Sequence, residues 1–289
     1  MLISTQTGCF VTKFGQEEGI KKLIDAGFDC LDYSFFGKNT DYLEKDGLEL
    51  AKKLRNIADE RGVSFNQAHA PFGGGYENYT TNLIPTFPRV FEFCSILGVK
   101  NIVVHPLQSG RYYGNEQRLF DMNMEFYTSL MPLARNSGVK IAIENMWQRH
   151  PVTNYITDDV CADPVELCRY YDTLNVPELF TVCLDIGHVA LCGREPEDAI
   201  RVIGHDRLGA IHAHDVNYRE DLHVLPGCGR IKYYEVAKAL GEIDYVGEFT
   251  LEADNFLSHY DVSYYSVGGK FMADTARHFA NEVEANRVR

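Results

Sequence analysis

Residues 139–146 read VKIAIENM, an alternating run that ends in a carboxylate. At the two-residue period of a strand, Ile141 and Ile143 share one face, while Ala142 and Glu144 share the other. Gly138, just before the run, stops a helical pattern over 115–136. Asp163-Pro164, downstream, supplies an N-cap and a first helical residue. The local unit is therefore helix, strand, loop, helix.

Outward in both directions the same unit recurs. Apolar runs at 2–9, 28–35, 63–71, 101–106, 179–188, 207–214 and 246–254 predict seven further strands. Helical patterns fall near 17–26, 42–61, 80–97, 195–204 and 231–240, and a last one ends near 285. Many of these segments stop at a glycine, as at Gly27, Gly62 and Gly98. Eight strands, each followed by a helix and with no linker between units, define an α/β chain. The expected fold is a single (β/α)8 TIM barrel over 1–289, with its active site at the C-terminal face of the strands.

Composition narrows the function classes. The chain has 289 residues, 45% hydrophobic and 24% charged, with a formal net charge of -13. Such acidity argues against broad electrostatic binding to nucleic acid or to anionic membrane. The eight cysteines are scattered with no Cys-x-x-Cys pair, which reads as reduced and packed. The N-terminus MLISTQTGCFVTKFG lacks the charged start and apolar core of a signal peptide, and no apolar stretch approaches the ~20 residues of a membrane span. The expectation is a cytoplasmic protein.

Extending the strand-five parity to its neighbours gives a site. Val103 and His105 point inward on strand four, Thr181, Cys183 and Asp185 on strand six, and Glu248, Thr250 and Glu252 on strand eight. On strand seven, within IHAHDVNYREDLHVLPGCG (211–229), Ile211 faces out and His212 and His214 face in. Strand three ends in His69, although Ser64 and Asn66 leave its parity ambiguous. Ionisable side chains thus gather at one end of the barrel. Carboxylates converging in a confined mouth raise one another's pKa, and a divalent cation relieves that repulsion. Glu144, Asp185, His214 and Glu252 make an oxygen-rich set with one imidazole, which suits Mn2+ or Mg2+, with Zn2+ or Co2+ as alternatives. His212 is expected one layer lower, in a structural role.

The motifs IAIENM, CLDIGH, IHAHD, LPGCGRI and TLEAD, in this order, resemble the xylose isomerase-like TIM-barrel superfamily. That superfamily includes sugar isomerases and epimerases, hydroxypyruvate isomerase, inosose dehydratases and endonuclease IV. The resemblance to its ketose 3-epimerase branch implies that Glu144, Asp185, His214 and Glu252 ligate one metal and that Glu144 and Glu252 are the acid–base pair. His214 is preferred to His212 because the branch uses the second histidine of such a pair. His188 matches a substrate-hydroxyl contact, and His69, His105, Asp221 and His223 are further substrate-binding candidates. Phe72 and Trp147 would wall the site from water. Two positions depart from the epimerase pattern: His223 stands where an arginine is expected, and His150 where a glutamate is expected.

The resemblance implies an isomerase or epimerase acting on a small-molecule sugar or sugar phosphate through proton abstraction and a cis-enediolate. Association into a homo-oligomer is common in the group. An inosose dehydratase-like lyase is one alternative. A multi-zinc nuclease is another, because His69, His105, Glu144, Asp185, His188, His214, Asp221, His223 and Glu252 also match endonuclease IV ligand positions. Against the nuclease stand the acidic charge and the lack of an arginine run to engage phosphates.

Overall fold

The chain, represented by a computed structural model, is described over residues 1–37 and 39–288. Its strands are β1 (Ile3–Thr5), β2 (Cys30–Ser34), β3 (Ser64–His69), β4 (Asn101–Val104), β5 (Lys140–Glu144), β6 (Trp147–Arg149), β7 (Ile156–Asp158), β8 (Phe180–Asp185), β9 (Leu208–His212) and β10 (Phe249–Leu251). The order β2-β3-β4-β5-β8-β9 forms one parallel sheet, and β1 pairs in parallel with β10. Single parallel bridges, Gln6 to Asp32 and Ala213 to Leu251, join the two groups into a ring. The eight expected barrel strands are therefore present. The remaining two, β6 and β7, make an antiparallel hairpin above strand β5.

The helices are α1 (Gly8–Phe14), α2 (Gln16–Ala26), α3 (Gly47–Glu60), α4 (Gly75–Asn78), α5 (Phe87–Leu97), α6 (Glu116–Ser137), α7 (Pro164–Leu174), α8 (Ile186–Leu191), α9 (Pro196–Ile203), α10 (Tyr233–Glu242) and α11 (Tyr265–Ala285). No helix among the described residues is long and apolar enough to cross a membrane. Asp163 caps α7 as expected, its Oδ1 accepting the Val165 N–H at 2.8 Å.

Several expected boundaries move, each for a local reason. The first strand stops at Thr5 because the chain turns over the barrel mouth, where the Thr7 and Gly8 N–H groups donate to Asp32 O and Ser34 Oγ. The 80–97 segment is helical throughout but uneven, widening to a π turn over Tyr79–Leu83 and tightening to a 3-10 turn over Ile84–Thr86 before the regular α-helix from Phe87; neither Pro85 nor Pro88 has an N–H to donate. The 179–188 run splits at Asp185, where strand gives way to helix α8.

The alternation read from the sequence sorts the core into two parts. Outward residues Ile102, Val104, Ile141, Ile143, Val182, Leu184 and Ile211 pack into the large shell beneath the helices. Inward Val103, Ala142, Cys183 and Ala210 form a separate small cluster inside the barrel. Truncating one of the outer residues, such as Ile141→Ala, removes about 2–5 kcal/mol. Strand β3 owes its ambiguous parity to a bulge. Leu31 pairs with Phe65 but Asp32 pairs with Gln67, so Asn66 is an extra residue. Asn66 is engaged by Ser4 Oγ at 2.7 Å and reaches Glu248, while Gln67 donates to Asp32 Oδ2 at 2.8 Å. Two consecutive residues thus serve the barrel interior.

Candidate metal centre

Ionisable side chains meet where the strands end. Glu144 and Asp185 close β5 and β8, His69 and His212 close β3 and β9, and His105 and Glu252 follow β4 and β10 directly. At the centre stands His212, fully buried. Its Nδ1 lies 2.8 Å from Glu144 Oε1 and 2.9 Å from Glu252 Oε2. Beside it, the other Glu144 oxygen is 2.8 Å from His105 Nε2 and 3.7 Å from His69 Nε2. Those two imidazole nitrogens are themselves only 3.1 Å apart.

A second group adjoins the first through Asp185. His214 Nε2 is 3.0 Å from Asp185 Oδ1, and His214 stacks on His223 with ring centroids 4.0 Å apart. His223 Nε2 lies 3.1 Å from Asp221 Oδ1, and His188 Nε2 lies 3.9 Å from Asp221 Oδ2.

The geometry exchanges the two histidines of β9. Donor atoms of Glu144, Asp185, His212 and Glu252 fall within 4.8 Å of one another, whereas His214 groups with His188, Asp221 and His223. His212 therefore lies level with the two glutamates rather than a layer below them, and His214 is not the member that meets them. The reason is local. Strand β9 ends at His212, and the chain beyond it is drawn sideways by Asp215, leaving His214 over Asp185 and Gly187. The side chain of Asp215 accepts four backbone N–H groups, from Val216, Gly227, Arg230 and Ile231, at 2.9–3.0 Å. It thus folds the loop that carries Asp221 and His223 back onto the barrel. Gly229 must be glycine there, since a Cβ would fall on the Asp215 carboxylate.

Local structure also aims Asp185 and His188. As N-cap of α8, Asp185 accepts the His188 N–H through Oδ1 at 2.6 Å. Asn145 Nδ2 donates to Asp185 O, and His188 Nδ1 meets Asn145 O at 2.8 Å. His188 therefore belongs to a helix rather than to the expected strand. His150, in place of the epimerase glutamate, accepts the Val152 and Thr153 N–H groups and shapes the β6–β7 turn away from the acidic cluster.

The electrostatics follow from the packing. Burial pushes the Glu144 carboxyl up, but His105 and His212 overcome it and hold the group well below its ordinary range. Glu252 is held low in the same way by His212 and His223, against its burial. Asp221 is lowered to about 2 despite burial, chiefly by the His223 hydrogen bond. His105, by contrast, is lowered because burial outweighs its carboxylate neighbour.

The donor set suits a divalent cation. Carboxylate oxygens and imidazole nitrogens converge, and His214 Nδ1 is buried without a hydrogen-bond partner. Buried polar atoms are rarely left so unless an ion or water completes them. Above the carboxylates opens a cavity of about 280 Å³, bordered by Phe72, Trp147, His188, His223, Glu144 and Glu252. Phe72 packs on His69 and His105, with ring centroids 4.7 and 4.5 Å apart. The two aromatic residues expected to wall the site do border it.

Comparison with known proteins places this geometry in a family. The model of the xylose isomerase-like TIM barrel family matches residues 20–262, and the chain belongs to that family. An uncharacterized protein of Methanocaldococcus jannaschii is 25% identical over 244 residues, 82% of this chain and 78% of that protein. A probable endonuclease 4 of Halorhodospira halophila is 28% identical over 215 residues, 62% of this chain and 67% of that one. Among solved structures, a D-tagatose 3-epimerase-like protein superposes with a TM-score of 0.75 at 21% identity, covering 98% of this chain and 99% of its own.

Proposed function

We propose that the protein is a divalent-metal-dependent isomerase or epimerase of a keto sugar or its phosphate. One observation carries this reading: two buried glutamates, Glu144 and Glu252, face each other across His212 Nδ1 at the floor of a sugar-sized cavity. Glu144, Asp185, His212 and Glu252 would hold the ion. Bound there, it would supply Lewis acidity that polarises a carbonyl and acidifies the neighbouring C–H. The remaining steps belong to the chain. One glutamate, ionised, takes the proton from the carbon beside the carbonyl, and the electron pair left behind makes the enediolate. The other glutamate passes a proton drawn from solvent to the opposite face, giving the epimer, or to the adjacent carbon, giving the isomer. His188, Asp221 and His223 line the cavity and would bind hydroxyls, while Phe72 and Trp147 exclude water.

Incubation of the metal-loaded protein with keto sugars in deuterated water tests the reading. Deuterium should enter the carbon next to the carbonyl, and the epimer or isomer should accumulate. No exchange across a panel of free and phosphorylated ketoses would count against it.

A second reading is favoured by a specific feature. Two further donor sets, His69 with His105 and Glu144, and His188 with His214, Asp221 and His223, adjoin the first, as a multi-zinc nuclease requires. The likeness to a probable endonuclease 4 supports it too. Three zinc ions per chain together with incision of an abasic duplex would replace the sugar reading with this one.

A further inference from the structure

On the far side of His212 from the two glutamates lies a carboxylate with no place among the ligand sets. Asp32, on β2, is fully buried, and its Oδ2 lies 3.1 Å from His212 Nε2. Gln67, turned inward beside the Asn66 bulge, places its side-chain nitrogen 2.8 Å from both that oxygen and His212 Nε2. Asp32 Oδ1 has no partner. A buried aspartate costs several kcal/mol in desolvation. Here it uses one oxygen only, and that oxygen meets the imidazole from behind.

The contacts allow two states of the ring when it is neutral. In one, Nδ1 carries the proton and donates to Glu144 Oε1, while Gln67 donates to Nε2. In the other, Nε2 carries the proton and donates to Asp32, Gln67 donates to Asp32 alone, and the Nδ1 lone pair faces Glu144 and Glu252. Only the second can bind a cation beside the two glutamates, since a protonated Nδ1 has no lone pair to give.

We propose that Asp32 is a positioning residue that selects the metal-binding tautomer of His212, with Gln67 bracing its carboxylate. The proposal rests on the metal reading of the preceding section and extends it to two residues outside the ligand sets.

The full-length protein tests this in two ways. In zinc-loaded protein with 15N-labelled histidine, the signal lost in His212→Gln identifies the ring, and its shifts should show a protonated Nε2 and a metal-bound Nδ1. A metal-bound Nε2 or a protonated Nδ1 overturns the proposal. The second test titrates the metal-free protein with Co2+ and follows the visible absorption bands. Asp32→Asn, isosteric but able to present an amide N–H to Nε2, should weaken Co2+ binding about 10–100-fold and alter the bands. A merely structural role would lower the melting temperature while leaving affinity and bands unmoved, and that result also overturns the proposal. Should Asp32→Asn not fold, the nitrogen shifts of the wild type decide. Wild-type protein that binds neither ion sinks the metal reading itself, an outcome distinct from normal binding by Asp32→Asn.

Discussion

Gly187 lies directly beneath the imidazole of His214, so close that a Cβ at position 187 would fall on the ring. The ring is also held by Asp185, whose two oxygens are 3.0 and 3.2 Å from Nε2. Gly187→Ala should therefore push His214 off Asp185 and part it from His223. The expected result is about 1–3 kcal/mol of lost stability, together with at least a tenfold loss of turnover. Urea unfolding and steady-state kinetics would check both; a variant normal in each would show that the seating of His214 is unimportant.

Glu252→Gln and Glu144→Gln keep the shape of the site and remove its proposed proton-transfer groups. Each should retain the fold and lose about 10²–10⁴-fold in turnover. In an epimerase the two abstract from opposite faces, so each variant should block solvent exchange for one epimer more than for the other. Exchange measured separately from the two epimers would reveal this split, and full activity in both variants would remove the acid–base assignment.

Asp215 is predicted to be a stability residue that acts on the site at a distance. Asp215→Ala leaves four backbone N–H groups of the 216–231 loop without their acceptor. A loss of about 3 kcal/mol or more is expected. Denaturant melts would measure it, and protease susceptibility within 216–231 should rise in parallel.

Asp158 and Arg194 tie the β6–β7 hairpin to the end of α8 through paired hydrogen bonds of 2.6 and 2.9 Å. Burial raises the Asp158 carboxyl, but the Arg194 and Tyr113 hydrogen bonds overcome it, leaving the group below its ordinary value. A carboxyl lowered in the folded state adds stability above its unfolded pKa of about 3.9 and loses it as the pH falls through the folded value. Wild type should therefore exceed Asp158→Asn by about 1 kcal/mol near pH 7, a modest figure because solvent screens the pair. The gap should close below about pH 4. Thermal melts of both proteins across pH 3–7 would test the sign; a gap that widened with acid would contradict it.

Much of the fold was legible because alternation is a strong signal on strands covered by helices. Ile141, Ile143, Val182, Leu184, Phe249 and Leu251 sort outward as their spacing required. The parity of β3 was hidden by the Asn66 bulge, which adds a residue without leaving a sequence mark. The end of β8 was hidden too, since Asp185 is at once the last strand residue and the cap of α8. Within the candidate site, strand parity brings Glu144, Asp185 and Glu252 to one place, but the choice between His212 and His214 rests on resemblance. Strand parity puts both on one face, and only the sideways pull of Asp215 separates them. Nothing in the sequence marks Asp32 and Gln67, because a buried Asp and Gln on separate strands become meaningful only once His212 stands beside them.

The Asn66 bulge bears on how this barrel tolerates change. Register resumes on both sides of the extra residue, with Leu31 opposite Phe65 below and Asp32 opposite Gln67 above. Loss of Asn66 would thus leave a regular strand, with Gln67 and His69 still turned to the mouth. What would go is the contact of Asn66 with Ser4 and Glu248 at the opposite end. A single-residue deletion, which in most barrel strands would turn every later side chain over, would here be borne by the floor alone. The two ends of strand β3 are thus set in register independently, with this one residue as the joint between them.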